Sequence, residues 1–267
     1  MELFKDEEKA IEELSYELGI TQDIRKSRID EDYKEECIKN ILSKFSILPY
    51  ENITKHINEN RLISPADILY GFKNWGTGAT CFPLVYLLKR VLDFCCIESE
   101  ILLADRTYAP KSHTIILANL GQKSFILDIG FLIFTPINIS EGSTLVNLPQ
   151  GKLLFSVEGR DIEVNTVFEN GHRKFRYRAT IEKISDIDFI SAWEKTYFFE
   201  MMNNIVVSKL IGDKIIYIRN NFVHFIKNGV SKNIRMEKEN ILEMIGKMGI
   251  NKNIFSNIWD LLLNQAP

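Results

Sequence analysis

Residues 75–83, Trp75-Gly76-Thr77-Gly78-Ala79-Thr80-Cys81-Phe82-Pro83, join two parts of the chain whose apolar residues follow different periods. In residues 84–94, which come next, leucine or valine recurs at spacings of three and four, and this predicts an amphipathic helix. Pro83 suits the first turn of that helix, because an N–H group there has no intrahelical acceptor. Cys81 is therefore predicted at or just before a helix N-terminus, after a loop that contains glycine.

The chain before this stretch has the pattern of helices. Apolar residues recur at spacings of three and four in residues 7–18 and again in residues 31–45. Pro49 ends the second pattern, because proline disfavours helix in the residue before it. We interpret both segments as helices that face the core.

The chain after the helix changes to a period of two, which is typical of strands. Two predicted hairpins surround Asn170-Gly171 and Asn220-Asn221, dipeptides that tolerate the positive φ of tight turns. Helices, antiparallel strands and helices in this order predict the α+β class. Strands are predicted at residues 101–104, 113–118, 123–128, 162–168, 174–181, 214–218 and 222–226, and closing helices at residues 237–248 and 254–263.

The composition is that of an ordinary globular protein, with 267 residues, 45% hydrophobic residues and a formal charge of −3. Because this charge provides no basic field for phosphates, we expect no nucleic-acid partner. No apolar run reaches the roughly 18 residues that span a bilayer, so no membrane partner is expected either. Residues 1–9 are charged and do not resemble a signal peptide, which predicts a cytoplasmic protein.

The cysteines and histidines do not have the spacing of a metal site. No CxxC pair is present and the histidines are scattered, so we expect neither bound metal nor a disulfide framework. His56 and His172 are interpreted as surface residues, and His224 as a structural residue on a strand. The residues concerned are Cys37, Cys81, Cys95 and Cys96, with His56, His113, His172 and His224.

Cys81 is the candidate nucleophile, because a helix N-terminus favours a thiolate and its free N–H groups can stabilise an oxyanion. Cys95 and Cys96 lie at the opposite end of the same predicted helix, where the helix dipole opposes a thiolate. The alternative is that Cys81 is a small buried hydrophobic residue, as most free cysteines are. Position alone leaves both interpretations open.

A predicted hairpin places a histidine and a carboxylate together. His113 opens one strand and Asp128 ends the next, with Asn119-Leu120-Gly121-Gln122 between them. A turn centred between Leu120 and Gly121 pairs residues whose numbers sum to 241, as 113 and 128 do, so that the two side chains lie directly opposite on one face. Opposed Cβ atoms lie about 5 Å apart, which suits a carboxylate that orients an imidazole. A solvated ion pair at the mouth of the hairpin is the alternative.

Cys81, His113 and Asp128, in this order and at these spacings, resemble the triad of the arylamine N-acetyltransferase family. The segments Leu48-Pro49-Tyr50-Glu51-Asn52-Ile53 and Asp128-Ile129-Gly130-Phe131 are similar to family segments upstream of the cysteine and around the acid. The resemblance implies a helical bundle at residues 1–95 with the cysteine, a β-barrel at residues 96–205 with the histidine and aspartate, and an α/β lid at residues 206–267. It also implies a catalytic core shared in outline with papain-like proteases and transglutaminases.

The same resemblance implies an acyltransferase that uses a cysteine nucleophile. The expected acyl donor is acetyl-CoA, and the expected acceptor is a small-molecule amine, namely an arylamine or a hydrazine. Phe131 and Gly130 are then expected to contact the substrate. The alternatives are an amide synthase or amide hydrolase on the same triad, and a catalytically idle binding protein of this fold.

The sequence departs from the family pattern on both sides of the cysteine and after the acid. Thr77-Gly78-Ala79-Thr80 stands where the family has Arg-Gly-Gly-aromatic, Pro83 stands in place of a glutamate, and Leu132 in place of a second glycine. No Gly-rich phosphate loop is present. The basic residues Lys73, Lys89 and Arg106 are interpreted as plain surface charges.

Overall fold

A computed structural model describes residues 2–57 and 62–263 of the chain. The helices are α1 (Glu7–Glu17), α2 (Thr21–Ser27), α3 (Lys34–Phe45), α4 (Ile53–Ile57), α5 (Pro65–Trp75), α6 (Cys81–Phe94), α7 (Asp186–Thr196), α8 (Lys238–Lys247) and α9 (Lys252–Leu263). The strands are β1 (Tyr50–Glu51), β2 (Glu98–Arg106), β3 (Ala109–Leu120), β4 (Lys123–Leu127), β5 (Ile137–Asn138), β6 (Thr144–Leu148), β7 (Gly151–Glu158), β8 (Asp161–Val167), β9 (Arg173–Thr180), β10 (Val206–Ile211), β11 (Lys214–Arg219), β12 (Phe222–Lys227) and β13 (Val230–Arg235).

Helix α6 lies at the centre of the first core. Almost every residue of its first three turns is buried, because α1 and α3 pack on one side and the outer face of β2, β3 and β4 packs on the other. The preceding helix, α5, begins with a capping box in which Ser64 accepts from the Asp67 amide and Asp67 accepts from the Ser64 amide. The segment that precedes Cys81, residues 76–80, therefore connects the end of α5 to the start of α6.

The strands after α6 form a nearly closed antiparallel barrel. Within the described residues, the sheet has eight strands in the order β5-β4-β3-β2-β9-β8-β7-β6. Its interior is filled by aliphatic and aromatic side chains, among which Phe155 and Tyr177 are fully buried. Because side chains alternate along a strand, His113 shares the inner face of β3 with Ile115 and Leu117.

The last part of the chain forms a second sheet covered by α8 and α9. The described strands follow the order β1-β10-β11-β12-β13, so a strand from the N-terminal third pairs at its edge. The core of this layer includes Ile53 from α4 together with residues of the last two helices, such as Phe255. The N-terminal helices and the last sheet are therefore joined through residues 50–57.

The α+β class and its arrangement as helices, barrel and a final helix-and-sheet layer are confirmed. The predicted helices and strands are all present, with ends that differ by a few residues. Several elements were not predicted, including α2, α5, α7, β7 and β10. The domain bounds at residues 1–95, 96–205 and 206–267 stay a prediction. Across residues 2–57 and 62–263 no helix has the length and apolar character needed to cross a membrane.

Candidate active site

Cys81 is the first residue of α6, as predicted. The preceding residue, Thr80, is extended and makes no side-chain capping hydrogen bond. Since the first amides of a helix have no intrahelical acceptor, the backbone around Cys81 presents N–H groups beside the sulfur. The cysteine is 7% exposed, and that exposed surface opens on a cavity.

The loop before Cys81 is held by a buried glutamate. The Glu51 backbone N–H donates to the Ala79 carbonyl at 3.1 Å, and its carboxylate accepts from the amide and the hydroxyl of Thr54, both at 3.0 Å. Burial raises the pKa of Glu51 to about 7, against the lowering effect of hydrogen bonds from Thr54, Ile53 and Gly78. Glu51 therefore connects the edge strand β1 to the loop that immediately precedes Cys81.

His113 and Asp128 are in contact, as the hairpin predicted. The distance from His113 Nε2 to Asp128 Oδ1 is 3.0 Å, and both side chains are buried. The predicted register is wrong by two residues, because Leu120 pairs with Lys123 and the paired numbers sum to 243. Asp128 lies just beyond the end of β4, diagonal to His113 and not opposite it. The contact survives because a shift of two keeps both residues on the same face.

The surroundings of His113 favour its protonated form. Burial lowers the pKa of His113, but the charge and hydrogen bond of Asp128, followed by those of Cys81, raise it to about 9. Tyr177 stacks beside the imidazole, with ring centroids 4.9 Å apart. Burial, and then the Asp128 carboxylate, raise the pKa of the Tyr177 hydroxyl well above its usual range. Tyr177 therefore stays neutral beside the ion pair.

The short turn after Asp128, residues 129–131, contacts Asp128, Cys81 and His113. The Phe131 backbone N–H donates to Asp128 Oδ1 at 3.0 Å. A Cβ on Gly130 would lie 2.6 Å from the Cβ of Cys81 and 3.0 Å from Cε1 of His113, so this position admits only glycine. Leu132, which replaces a family glycine, has a φ of 59° and adopts the left-handed conformation that glycine would take freely.

A cavity of about 420 Å³ lies over Cys81 and His113. Both predicted substrate-binding residues, Gly130 and Phe131, line it. Arg106 lines it as well, which corrects its interpretation as a plain surface charge. The other two basic residues do pair locally, Lys73 with Glu13 and Lys89 with Asp93. Four further lining residues were not predicted: Tyr108 from the turn between β2 and β3, Arg176 from β9, and Ser208 and Tyr217 from the last sheet.

None of the other three histidines lines this cavity. His172 is exposed, as predicted, and His224 stacks edge-on with Tyr217 on the neighbouring strand. The interpretation of His56 as a surface residue is wrong, because it is half-buried in α4 and burial lowers its pKa to about 4. In the described part of the chain, no group of three or more histidine, cysteine, aspartate or glutamate side chains is placed to hold a metal ion.

A model of the N-acetyltransferase family matches residues 36–251. Among solved structures, the arylamine N-acetyltransferase from Mycobacterium abscessus is similar with a TM-score of 0.74 and 15% identity, covering 86% of this chain and 89% of that one. Arylamine N-acetyltransferase C from Bacillus anthracis has a TM-score of 0.67 and 16% identity, covering 93% of this chain and 100% of its own. The Mycobacterium marinum enzyme in complex with CoA has a TM-score of 0.71 and 12% identity, covering 85% and 93%. No curated protein is significantly similar in sequence.

Proposed function

Because the chain belongs to the N-acetyltransferase family, we propose that it moves an acyl group from a CoA thioester to the nitrogen of an arylamine or hydrazine through an acyl-cysteine at Cys81. The observation that carries the proposal is that Cys81 and His113 line one cavity and that the buried Asp128 contacts His113. The CoA-bound relative supports acetyl-CoA as the donor.

In the first half-reaction the Cys81 thiolate attacks the carbonyl carbon of the thioester. The bond between that carbon and the CoA sulfur then breaks, and the departing thiolate takes the proton from the His113 imidazolium. A pKa near 9 keeps His113 protonated at neutral pH, so the proton is in place before the thioester arrives. Amides in the first turn of α6 are placed to stabilise the oxyanion that forms during the attack. The products are acyl-Cys81, neutral His113 and free CoA.

In the second half-reaction the amine nitrogen attacks the acyl carbon. His113, now neutral, takes the proton from the nitrogen while the bond to the Cys81 sulfur breaks. This restores the thiolate and the imidazolium and releases the amide. Asp128 keeps the imidazole oriented through the 3.0 Å contact at Nε2, so that the other ring nitrogen serves the sulfur and the substrate.

Phe131 and Gly130 form the wall against which the substrate lies in this scheme. The aromatic ring of Phe131 suits an aryl acceptor, because two packed aromatic rings stabilise each other by more than their buried apolar area alone accounts for. Cytoplasmic location and the lack of nucleic-acid and membrane partners stay predictions. The described cysteines are all free thiols, which suits a reducing compartment.

The intact mass of the protein after incubation with acetyl-CoA tests the proposal. We expect one added acetyl group, located on Cys81 by peptide mapping, and its removal when an arylamine is added. The Cys81→Ala variant should gain no acetyl group, while Cys96→Ala, which removes an exposed thiol, should behave like the wild type. Loss of the acetyl group to water at the same rate with or without amine would favour a hydrolase. Absence of any acetyl-Cys81 would contradict the proposed function.

A further inference from the structure

Two arginines face the cavity from neighbouring strands of the barrel, β2 and β9. In β9, Tyr177 pairs with Val164 and Phe175 pairs with Asn165, so Arg176 has no partner and occupies a β-bulge. In the pairing of β2 with β3, Ala104 pairs with His113 but Arg106 pairs with Ala109, so the ladder is irregular there as well. The bulge turns Arg176 toward the cavity that contains Cys81, and Arg106 reaches the same cavity from the inner face of β2, which it shares with Ala104.

Both guanidinium groups lie against the ring of Phe131. The carbon at the centre of the Arg106 guanidinium is 5.6 Å from the ring centroid, and that of Arg176 is 5.9 Å away. The ring in turn stacks edge-on with Tyr177, which contacts the imidazole of His113. A series of ring contacts therefore leads from the two guanidinium groups to the imidazole of His113.

Among the described residues, no carboxylate pairs with either guanidinium. Nearby acids are engaged elsewhere, since Asp105 accepts from the Lys111 backbone N–H and Glu163 pairs with Arg178. Arg176 donates through Nε to the Thr166 hydroxyl at 2.6 Å, which orients the group but leaves its charge uncompensated. Burial, and then the charge of Arg106, lower the pKa of Arg176, as expected when two cations meet without an anion.

We propose that Arg106 and Arg176 form an oxyanion subsite that binds the carboxylate of an aromatic amine acceptor. The ring of such an acceptor lies against Phe131, and its amine points toward Cys81. This inference rests on the proposed function and narrows the acceptor from arylamines in general to amines that carry an acidic group. Guanidinium binds carboxylates and phosphates alike, so the phosphates of CoA are the competing source of the anion. The acceptor is favoured because the pantetheine arm of CoA separates its phosphates from the thioester, whereas both arginines line the same cavity as Cys81 and His113.

Two acceptors that share an aminophenyl ring but differ in the charge of its substituent test the subsite. We expect the wild type to favour 4-aminobenzoate over methyl 4-aminobenzoate in kcat/KM. Arg106→Gln and Arg176→Gln should each reduce that ratio, on the order of tenfold, mainly through a higher KM for the acid. The matched control is Arg178→Gln, two residues along the same strand, whose side chain is exposed and paired with Glu163. An unchanged ratio in both arginine variants would overturn the subsite.

The first half-reaction separates the two sources of the anion. The ratio of the Cys81 acetylation rates with acetyl-CoA and with a phosphate-free donor should be the same in wild type, Arg106→Gln and Arg176→Gln. A selective loss with acetyl-CoA, but not with the phosphate-free donor 4-nitrophenyl acetate, would assign the arginines to the CoA phosphates and refute the acceptor subsite.

Binding of benzoate, followed by NMR, requires no turnover. Arginine-dependent binding in a wild-type protein that never acetylates Cys81 would support the anion subsite while refuting the proposed function. Benzoate binding that is equal in wild type and both arginine variants would overturn the subsite.

Discussion

His113 Nε2 and the backbone N–H of Phe131 share one oxygen, Oδ1 of Asp128, each at 3.0 Å. The carboxylate is fully buried, so its orientation is set by these contacts and not by solvent. Through these two contacts Asp128 is bonded to the backbone of Phe131 and to the imidazole of His113, and both of these residues line the cavity. A change at Asp128 is therefore expected to act on the histidine first.

The Asp128→Asn variant should keep its fold and lose most of its turnover. The amide is nearly isosteric and can still accept from the Phe131 N–H, but it removes the negative charge beside His113. We expect turnover to fall by a factor on the order of 10² to 10⁴. The pKa of His113, about 9 in the wild type, should drop, because burial then acts without the compensating carboxylate. An NMR titration of the imidazole protons measures this, and near-normal turnover in a folded variant would show that Asp128 is structural only.

Alkylation of the thiols should be selective for Cys81. At about pH 6 the imidazolium of His113 is fully formed, and a cation next to a cysteine makes its sulfur more reactive toward alkylating agents. We expect a small alkylating agent to label Cys81 faster than Cys96, although Cys96 is the exposed cysteine. Mass spectrometry of peptides after brief labelling measures the difference.

The His113→Gln variant is the control for the labelling experiment. Without the imidazolium, Cys81 should react more slowly than Cys96, as expected from its burial. Equal labelling of both thiols in the wild type, or no change on loss of His113, would indicate that Cys81 is an ordinary buried thiol.

The Gly130→Ala variant should lose activity more than stability. Its new methyl group would lie 2.6 Å from the Cβ of Cys81, which forces the cysteine or the turn to move. A misplacement of about 1 Å near the reacting atoms can reduce turnover about 100-fold. Gly246→Ala is the matched control, because its methyl group meets only the flexible end of Lys252. Activity assays with thermal unfolding of both variants test this, and a fully active Gly130→Ala protein would refute the described packing.

Glu51 should make the stability of the fold depend on pH. Its pKa is raised to about 7 in the folded state from an ordinary value of 4.5, so the folded protein retains a proton that the unfolded chain releases. Protonated Glu51 therefore contributes its full stabilisation below a pH of 4.5, the ordinary pKa, and this contribution is lost as the pH rises through about 7. Between about pH 5 and pH 8, the wild type should lose up to about 3 kcal/mol more unfolding free energy than Glu51→Gln.

Urea unfolding across this pH range measures the effect of Glu51. The control variant is Glu169→Gln, which changes an exposed carboxylate to the same amide. It should follow the wild type at every pH. If Glu51→Gln also follows the wild type, Glu51 is ionised at little cost in the folded protein.

Local patterns were sufficient for the parts of the site that depend on one helix or one hairpin. The helical spacing after Pro83 located Cys81 at the start of α6, because helix periodicity depends only on nearby residues. In any hairpin whose loop has an even number of residues, the numbers of paired residues add to an odd sum. Because 113 and 128 also add to an odd number, His113 and Asp128 lie on the same face of every such hairpin. This is why the contact was predicted correctly from a register that was wrong by two residues.

Tertiary structure decided the depth and the charge of the cavity. Arg176 reaches it because a bulge interrupts β9, and strand alternation by itself does not encode a bulge. Alternation does place Arg106 on the inner face of β2 with Ala104, but only the folded chain shows that this end of the face opens on the cavity. Tyr217 and Ser208 close the cavity from a sheet more than a hundred residues after Cys81. Such contacts arise from packing between distant elements, whereas periodicity reports only which face of its own element a residue occupies. The position of Cys81 at a helix N-terminus could thus be predicted from the sequence, while the residues that line the cavity required the folded chain.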